Sequence, residues 1–401
     1  MTADHFRRNS ESKVTVPGAD KSAKGAAAAL GMAALRNALA DGASLRVTPS
    51  GGFATAPEPS TCQGQWLLVQ SAGSTGAAKT IRRHPASWIA SFDVTIDQFA
   101  VGAATPYAVL GALGHSLTLY AVLEALHLGA DLTVLTGLTP RAQARQIGEN
   151  RVQVLYATPT QLRLLCDAAD RPLTTLRWLF CGGGKLDSPT RARLHDLFPN
   201  AELREFFGAS ETSFITLSHP DTPEGSVGRA YPGVTLAVRD GSGQETCGPG
   251  EIWVNSPYLF DSYAEGGCAD TLWQDGYLSI GEMGLLDDRG NLTVLGRKNR
   301  MITVSDQNVF PEAVEALIMA TGDVGKFAAI PVKDPRRGHS IVGIVEGPTN
   351  LTLAQSLLKS CRDGLGPHAT PRRIVFVDDM PLLAAGKPDL LALQRMLETA
   401  I

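Results

Sequence analysis

The sequence predicts an α/β protein: a large N-terminal domain of layered helices and sheets with a β subdomain, then a small C-terminal α+β domain. Three observations carry this. From about residue 42 to residue 287, short apolar runs alternate with helical patterns, as in a largely parallel sheet with crossover helices. Late in that span, "GSVGRAYPGVTLAVRDGSGQETCGPGEIWVNSP" is rich in strands and turns. The composition then shifts after "LLDDRGNLTVLGRKNRMITV". With 401 residues, 44% of them hydrophobic, the chain is long enough for a large core and two domains. The expected domains are residues 1–296 and 297–401, with Gly296–Arg300 as the linker.

The elements follow in order. "KSAKGAAAALGMAALRNALADGAS" is Ala-rich and predicts a helix ending near Gly42. "QWLLVQ" (Gln65 to Gln70) reads as a short buried strand. "GADLTVLTGL" and "RVQVLYATPT" read as strands, and "TPRAQARQIGEN" and "TPTQLRLLCDAAD" as the helices after them. "TLRWLFCGGGKL" is a strand running into a glycine turn, and "SPTRARLHDLFP" is the next helix. In the tail, Pro311 opens a helix to Ala320 whose apolar face is Val314, Leu317 and Ile318. Strands "KFAAIPVKD", "SIVGIVEG" and "RRIVFVDD" complete it, with the helix "TLAQSLLKSCRDG" between the last two.

Charge and cysteine usage exclude some classes. A formal net charge of -4 provides no basic field for nucleic acid. The six cysteines are scattered, without a C-x-x-C pair, so the expectation is a reduced, cytoplasmic protein. The polar start "MTADHFRRNSESK" lacks the apolar core of a secretory signal. Gln98 to Leu123 carries no charged side chain and has the length of a bilayer span. Pro106, its glycines and hydroxyls, and the lack of positive flanks favour a buried core segment over a membrane span.

Five stretches carry chemistry. "SAGSTGAAKT" (Ser71 to Thr80) nearly fits a Walker phosphate loop, but Ala78 stands where that motif needs glycine. Its small residues let backbone N–H groups approach phosphate oxygens, Ser71, Ser74 and Thr75 add hydroxyls, and Lys79 adds a mobile charge. A solvent-exposed Gly/Ser turn fits equally well. "REFFGASETSF" sets Ser210 and Glu211 beyond a glycine turn; the carboxylate can hold Mg2+, or Ser210 can cap a helix that follows a strand. In "DGYLSIGEMGLLDDRGNLTVLGRK", Glu282 can accept bonds from both ribose hydroxyls and Arg297 can reach phosphate, or the stretch is a hairpin with a solvated arginine. "MITVSDQNVFPEAVEALI" reads as strand, turn and helix, and "LLAAGKPDLLAL" sets Lys387 on a glycine loop.

Taken together and in this order, the five stretches resemble the adenylate-forming superfamily of acyl-CoA synthetases, peptide-synthetase adenylation domains and luciferases. "SAGSTGAAKT" is similar to its [ST]-[SG]-G-[ST]-[TS]-G-x-P-K phosphate loop and "FFGASET" to its Y-G-x-[ST]-E motif. "GYLSIGEMG" is similar to G-[WY]-x-x-[TS]-G-D-x-[GA], "LGRKNRMITVSDQNVFPEAVE" to the hinge region, and "AAGKPD" to the S-G-K-[VI]-D terminus. The resemblance spans about Gln65 to Leu393 and is nearest in character to bacterial acyl-CoA synthetases.

The resemblance implies an ATP-dependent acid–thiol ligase. A carboxylate attacks the α-phosphate of Mg·ATP, releasing pyrophosphate, and a thiol then displaces AMP. Implied nucleotide ligands are Ser71, Ala72, Gly73, Ser74, Thr75, Gly76 and Lys79 on the phosphates, Gly208 and Ala209, Glu282 on the ribose, and Arg297 beside it. Ser210 contacts the α-phosphate, Glu211 holds Mg2+, and Lys387, on a mobile C-terminal domain, bridges carboxylate and α-phosphate. The implied acyl pocket uses His115, unless that is a core histidine, and Gly182, Gly183 and Gly184, unless those are turn glycines. Arg300 is the implied hinge, and Ser305 and Asp306 border the pantetheine path. An acyl or aryl acid fits better than an amino acid. The implied cosubstrates are ATP, Mg2+ and CoA, or carrier-protein phosphopantetheine instead of CoA; a non-catalytic adenylate-binding protein is the alternative from another class.

The sequence departs from the family pattern in places. Ala78 replaces the loop proline, Ile280 a hydroxyl residue, and Glu282 the ribose-binding aspartate. Arg300, Thr303, Ser305 and Asp306 also replace usual residues. Only 70 residues precede the phosphate loop, so the expectation is a reduced first subdomain.

Overall fold

Parallel strands need crossovers, and the chain supplies them with helices. The computed structural model describes residues 5–7, 12–48, 52–56, 64–72, 78–382 and 388–399. Its eight-stranded sheet has a run of parallel neighbours, in order Val14–Thr15, Leu132–Val134, Tyr107–Val109, Val154–Ala157, Trp178–Cys181 and Glu202–Ala209. Ser213–Leu217 and Arg229–Ala230 extend it antiparallel. The crossover helices Ser116–Leu128, Pro140–Glu149, Pro159–Ala168 and Ser188–Leu197 agree with the predicted ones where the sequence marks them. Thr139, Thr158 and Asp187 cap three of them, each with proline in the first turn, which fixes their starts. Leu155, Leu162, Leu165, Leu176 and Leu179 pack between strands and helices in one core. Burial of this kind contributes about 1.5–3 kcal/mol per large apolar side chain.

The uncharged stretch from Gln98 lies in this core. It holds the strand Tyr107–Val109 and much of the helix Ser116–Leu128, with Leu119, Val122 and Leu123 fully buried. Among the described residues no helix is long and apolar enough to cross a membrane.

A five-stranded sheet has the order Ser262–Glu265, Ala78–Arg83, Leu67–Ala72, Leu45–Val47 and Phe53–Thr55. Leu67–Ala72 and Ala78–Arg83 pair antiparallel from Leu67↔Arg83 to Ala72↔Ala78. The Ala-rich helix spans Ala23–Ala40, and Gly42 beyond it has φ +62°, as predicted for its end.

The chain forms two compact units. The first takes residues 1–236, 253–278 and 288–292; the second takes 237–252, 279–287 and 293–401. The second unit therefore starts earlier than residue 297 and draws in strand segments from the β-rich stretch, where Gly250 pairs with Gly284 and Glu251 with Met283. Its C-terminal sheet runs Gln307–Val309, Ile302–Val304, Gly338–Glu346 and Phe327–Asp334, with Arg373–Val377 parallel to Gly338–Glu346. Strand alternation sorts its residues. Phe327, Ala329, Ile341 and Val345 pack with Val314 and Ile318 of the helix Pro311–Thr321 and with Leu357 and Cys361 of Leu351–Ala369. Ala328, Ile330, Val342 and Ile344 pack on the other face with Leu393 and Leu397 of Leu390–Thr399.

Candidate active site

Four candidate segments of the first unit follow the C-terminal ends of parallel strands. Leu110–His115 follows Tyr107–Val109, Thr158 follows Val154–Ala157, Gly182–Gly184 follows Trp178–Cys181, and Ser210–Glu211 follows Glu202–Ala209. After Tyr107–Val109 the next strand lies on one side of it and the one after on the other, so the order reverses between Tyr107–Val109 and Val154–Ala157. Open α/β sheets bind ligands at that edge and at such a reversal.

The phosphate-loop question is answered by its flanks. A Walker loop joins a strand to a helix. Here the flanking strands, Leu67–Ala72 and Ala78–Arg83, form an antiparallel hairpin. Gly73, Ser74, Thr75 and Gly76 lie outside the described residues, as does Lys387; Ser71 and Ala72 are described as backbone, Ser71 paired with Lys79. Lys79 is 8% exposed, unusual for lysine, and its Nζ lies over the Tyr263 ring, 5.6 Å from the centroid.

"FFGASETSF" is a hairpin, not a strand running into a helix: Phe206 pairs with Leu217 and Ala209 with Ser213. Ser210 therefore caps no helix. The turn is tight because Ser213 carbonyl oxygen packs on Gly208; a Cβ there would lie 1.9 Å from it. Glu211 is partly buried, and its Oε1 accepts from the Tyr263 hydroxyl at 2.9 Å. The same hydroxyl is 2.9 Å from Thr271 Oγ1. Burial and the adjacent Glu211 push the Tyr263 phenol above its usual range. Phe260 N–H donates to the Glu211 carbonyl at 2.8 Å.

Arg83 holds this turn from beneath. It is fully buried at the end of the strand Ala78–Arg83. Its Nη2 donates to Ser210 O at 2.7 Å and, at 3.5 Å, to Glu211 O; its Nη1 donates to Tyr258 O at 2.5 Å and Ser87 Oγ at 2.9 Å. Burial lowers its pKa to about 9, so the guanidinium stays charged at neutral pH. Among the described residues, carbonyl oxygens and the Ser87 hydroxyl, rather than a carboxylate, solvate it.

The predicted acyl-pocket residues differ in setting. His115 is exposed at the start of the helix Ser116–Leu128, so it is not a core histidine. Gly182 is buried, and the Phe206 ring fills the space a side chain would take: a Cβ at Gly182 would lie 2.2–2.7 Å from ring atoms. Gly183 is exposed with φ +83°, a turn glycine, and Gly184 is exposed. On the helix Ser116–Leu128, Glu124 is fully buried: Thr95 Oγ1 donates to its Oε1 at 2.5 Å, and burial raises its pKa to about 7.

In the second unit, Glu282 and Arg297 pair, with Arg297 Nε 3.1 Å from Glu282 Oε1, so the arginine is not simply solvated. Lys298 pairs with Glu251 at 2.8 Å. Arg300, the implied hinge, is bound to the helix Pro311–Thr321: it makes two bonds to Glu315, at 3.1 and 2.8 Å, and approaches Glu312 at 3.3 Å. Ser305 and Asp306 are exposed at the two-residue turn between Ile302–Val304 and Gln307–Val309, with φ +48° and +65°. Sequence reasoning missed Arg83, Glu124 and Tyr263. The only hint was a carboxylate, Glu124, ending an uncharged stretch.

Comparison with known proteins adds the wider frame. A profile of the AMP-binding enzyme family matches residues 18–264, and one of the AMP-binding enzyme C-terminal domain matches residues 313–387. The chain is 29% identical over 337 residues to the uncharacterized acyl–CoA ligase YhfT of Bacillus subtilis, covering 82% of this chain and 68% of that one. It is 26% identical over 376 residues to 4-coumarate–CoA ligase-like 6 of Oryza sativa, covering 84% and 62%. Among solved structures, the amide bond synthetase McbA of Marinactinospora thermotolerans superposes with TM-score 0.70 at 25% identity, covering 82% and 69%. The o-succinylbenzoate CoA synthetase MenE of Bacillus subtilis, in complex with ATP and magnesium ion, superposes with TM-score 0.73 at 21% identity, covering 85% and 73%. The MenE likeness carries the fold.

Proposed function

The chain belongs to the AMP-binding enzyme family, and from that membership we propose that it is an AMP-forming acid–CoA ligase acting on an acyl or aryl acid. The coarse activity, an adenylate-forming enzyme of the acyl-CoA ligase kind, follows from the family and its relatives. The finer reading assigns steps to residues. Backbone N–H groups of Ser71–Gly76 and the Lys79 ammonium take the β- and γ-phosphates of Mg·ATP. Ser210 contacts the α-phosphate. Glu282 takes the ribose hydroxyls, with Arg297 beside it. Lys387, near the C-terminus, brings positive charge to the carboxylate and α-phosphate as adenylate forms. The acid lies near His115 and Gly182–Gly184.

Mg2+ arrives with ATP as part of the substrate. Among the described residues no three His, Cys, Asp or Glu side chains gather as a metal cage. One carboxylate plus substrate phosphates is the common way of holding Mg2+, and Glu211 fits that role. The metal neutralises phosphate charge while the acid attacks.

The observation that carries this reading is the joining of Lys79 and Glu211 through one tyrosine, whose strand pairs with the lysine's own strand at the end of the phosphate-type loop. An exposed turn at Ser305–Asp306 favours one variant of it, in which a carrier-protein phosphopantetheine accepts the acyl group better than free CoA does. The test is a panel of carboxylic acids with Mg·ATP, read first as AMP and pyrophosphate and then as thioester with CoA or a carrier protein. No acid-dependent AMP with any acid overturns the reading. Thioester on the carrier alone replaces CoA as acceptor.

A further inference from the structure

We infer that Tyr263 is a positioning residue that keeps Lys79 and Glu211 apart, so that each is free for Mg·ATP; this rests on the reading above. The two side chains carry opposite charges and sit on the same tyrosine. The ring of Tyr263 faces the Lys79 ammonium, and its hydroxyl donates to Glu211 Oε1. Lys79 and Glu211 make no direct ion pair among the described residues. A carboxylate and a buried ammonium so near one another gain by closing together, and a closed pair has neither charge left for phosphate or metal. The hydroxyl occupies one carboxylate oxygen and leaves the other open. The ring satisfies the cation with a π face, which a phosphate oxygen can outcompete.

The tyrosine is itself held. Strand Ser262–Glu265 pairs with Ala78–Arg83, setting Tyr263 opposite Ile81 and Glu265 opposite Thr80. Glu265 accepts from Thr80 Oγ1 at 2.9 Å and from Arg46 Nη1 at 2.9 Å, which pins the end of the strand. With the phenol proton directed to Glu211, Thr271 Oγ1 donates to the phenol oxygen and fixes its orientation. Tyr263 thus touches the loop lysine and the carboxylate from a strand fixed to the lysine's own strand.

The experiment uses the full chain and a non-hydrolysable ATP analogue. Its dissociation constant is measured by calorimetry with excess Mn2+ and again with excess EDTA, for wild type, Tyr263→Phe and Thr271→Val. Thermal unfolding checks the fold of each. In wild type the metal tightens binding. In Tyr263→Phe the pair closes: binding with metal weakens by about ten- to a hundredfold, and binding in EDTA weakens by less, since only the Lys79 contact with phosphate is lost there. Thr271→Val shifts it the same way by less, and carries the test if Tyr263→Phe does not fold. An unchanged metal effect in the folded variant overturns the inference, as does equal weakening with and without metal. Failure of wild type to bind the analogue at all overturns the proposed function instead, and this inference with it.

Discussion

Replacing Arg83 by methionine tests how the Ser210–Glu211 turn is held. Methionine keeps a flexible apolar stem against Trp88, whose ring lies 5.2 Å from the guanidinium, and removes the charged head. The short bonds to Ser210 O and Tyr258 O are lost. Tyr258 O keeps a donor, Ser213 Oγ at 3.1 Å, whereas Ser210 O loses its short one. A bond to a charged donor contributes about 1.5–3 kcal/mol, and a buried carbonyl left unpaired costs about 1–3 kcal/mol. Relief from burying a charge offsets part of this. The expected loss is about 2–4 kcal/mol of folding stability by urea unfolding. Acid-dependent pyrophosphate exchange should fall by at least about tenfold, because a shift of the turn misplaces Glu211 against the phosphates. Arg83→Lys, with one point charge for a planar fork, should fall between the two. A methionine variant within about 0.5 kcal/mol of wild type, with unchanged exchange, refutes the reasoning.

Glu124 has its carboxyl raised from 4.5 to about 7 by burial, so the stability it contributes is complete below pH 4.5 and lost as pH rises through 7. Glu124→Gln removes that dependence, so the stability difference between variant and wild type should change by about 3 kcal/mol from pH 4.5 to 8; a constant difference across that range rules it out. The double change Ser305→Gly, Asp306→Gly relieves two non-glycine residues at positive φ and should gain about 1 kcal/mol. It should also speed acyl transfer from pre-formed adenylate to CoA and leave pyrophosphate exchange unaltered, with equal single-turnover transfer rates as the contrary result.

Much of the fold was legible because its signals are local. Caps and prolines mark the crossover helices at Thr139, Thr158 and Asp187, and apolar runs mark the strands between them. "FFGASETSF" was less legible. A serine after a glycine suits a helix cap, but "SFITL" pairs back on "EFFGA", and only pairing reveals a hairpin. The reach of the second unit into earlier segments was not legible for a similar reason: Gly250–Gly284 and Glu251–Lys298 contacts join distant segments that share no sequence period. Within the candidate site, Lys79 and Glu211 stood out by residue type. Arg83 and Tyr263 did not, because their roles come from which carbonyls and carboxylates they meet in space.

The central claim is that this chain makes an acyl-adenylate, and isotope exchange between ATP and pyrophosphate tests it most directly. Wild type and Lys387→Ala are run side by side with one active acid, with and without that acid. The account predicts acid-dependent exchange in wild type and a severe loss in the variant, with thioester formation from supplied acyl-adenylate retained. Exchange by Lys387→Ala at the wild-type rate contradicts the role of Lys387, and no acid-dependent exchange in wild type with any acid contradicts the account itself.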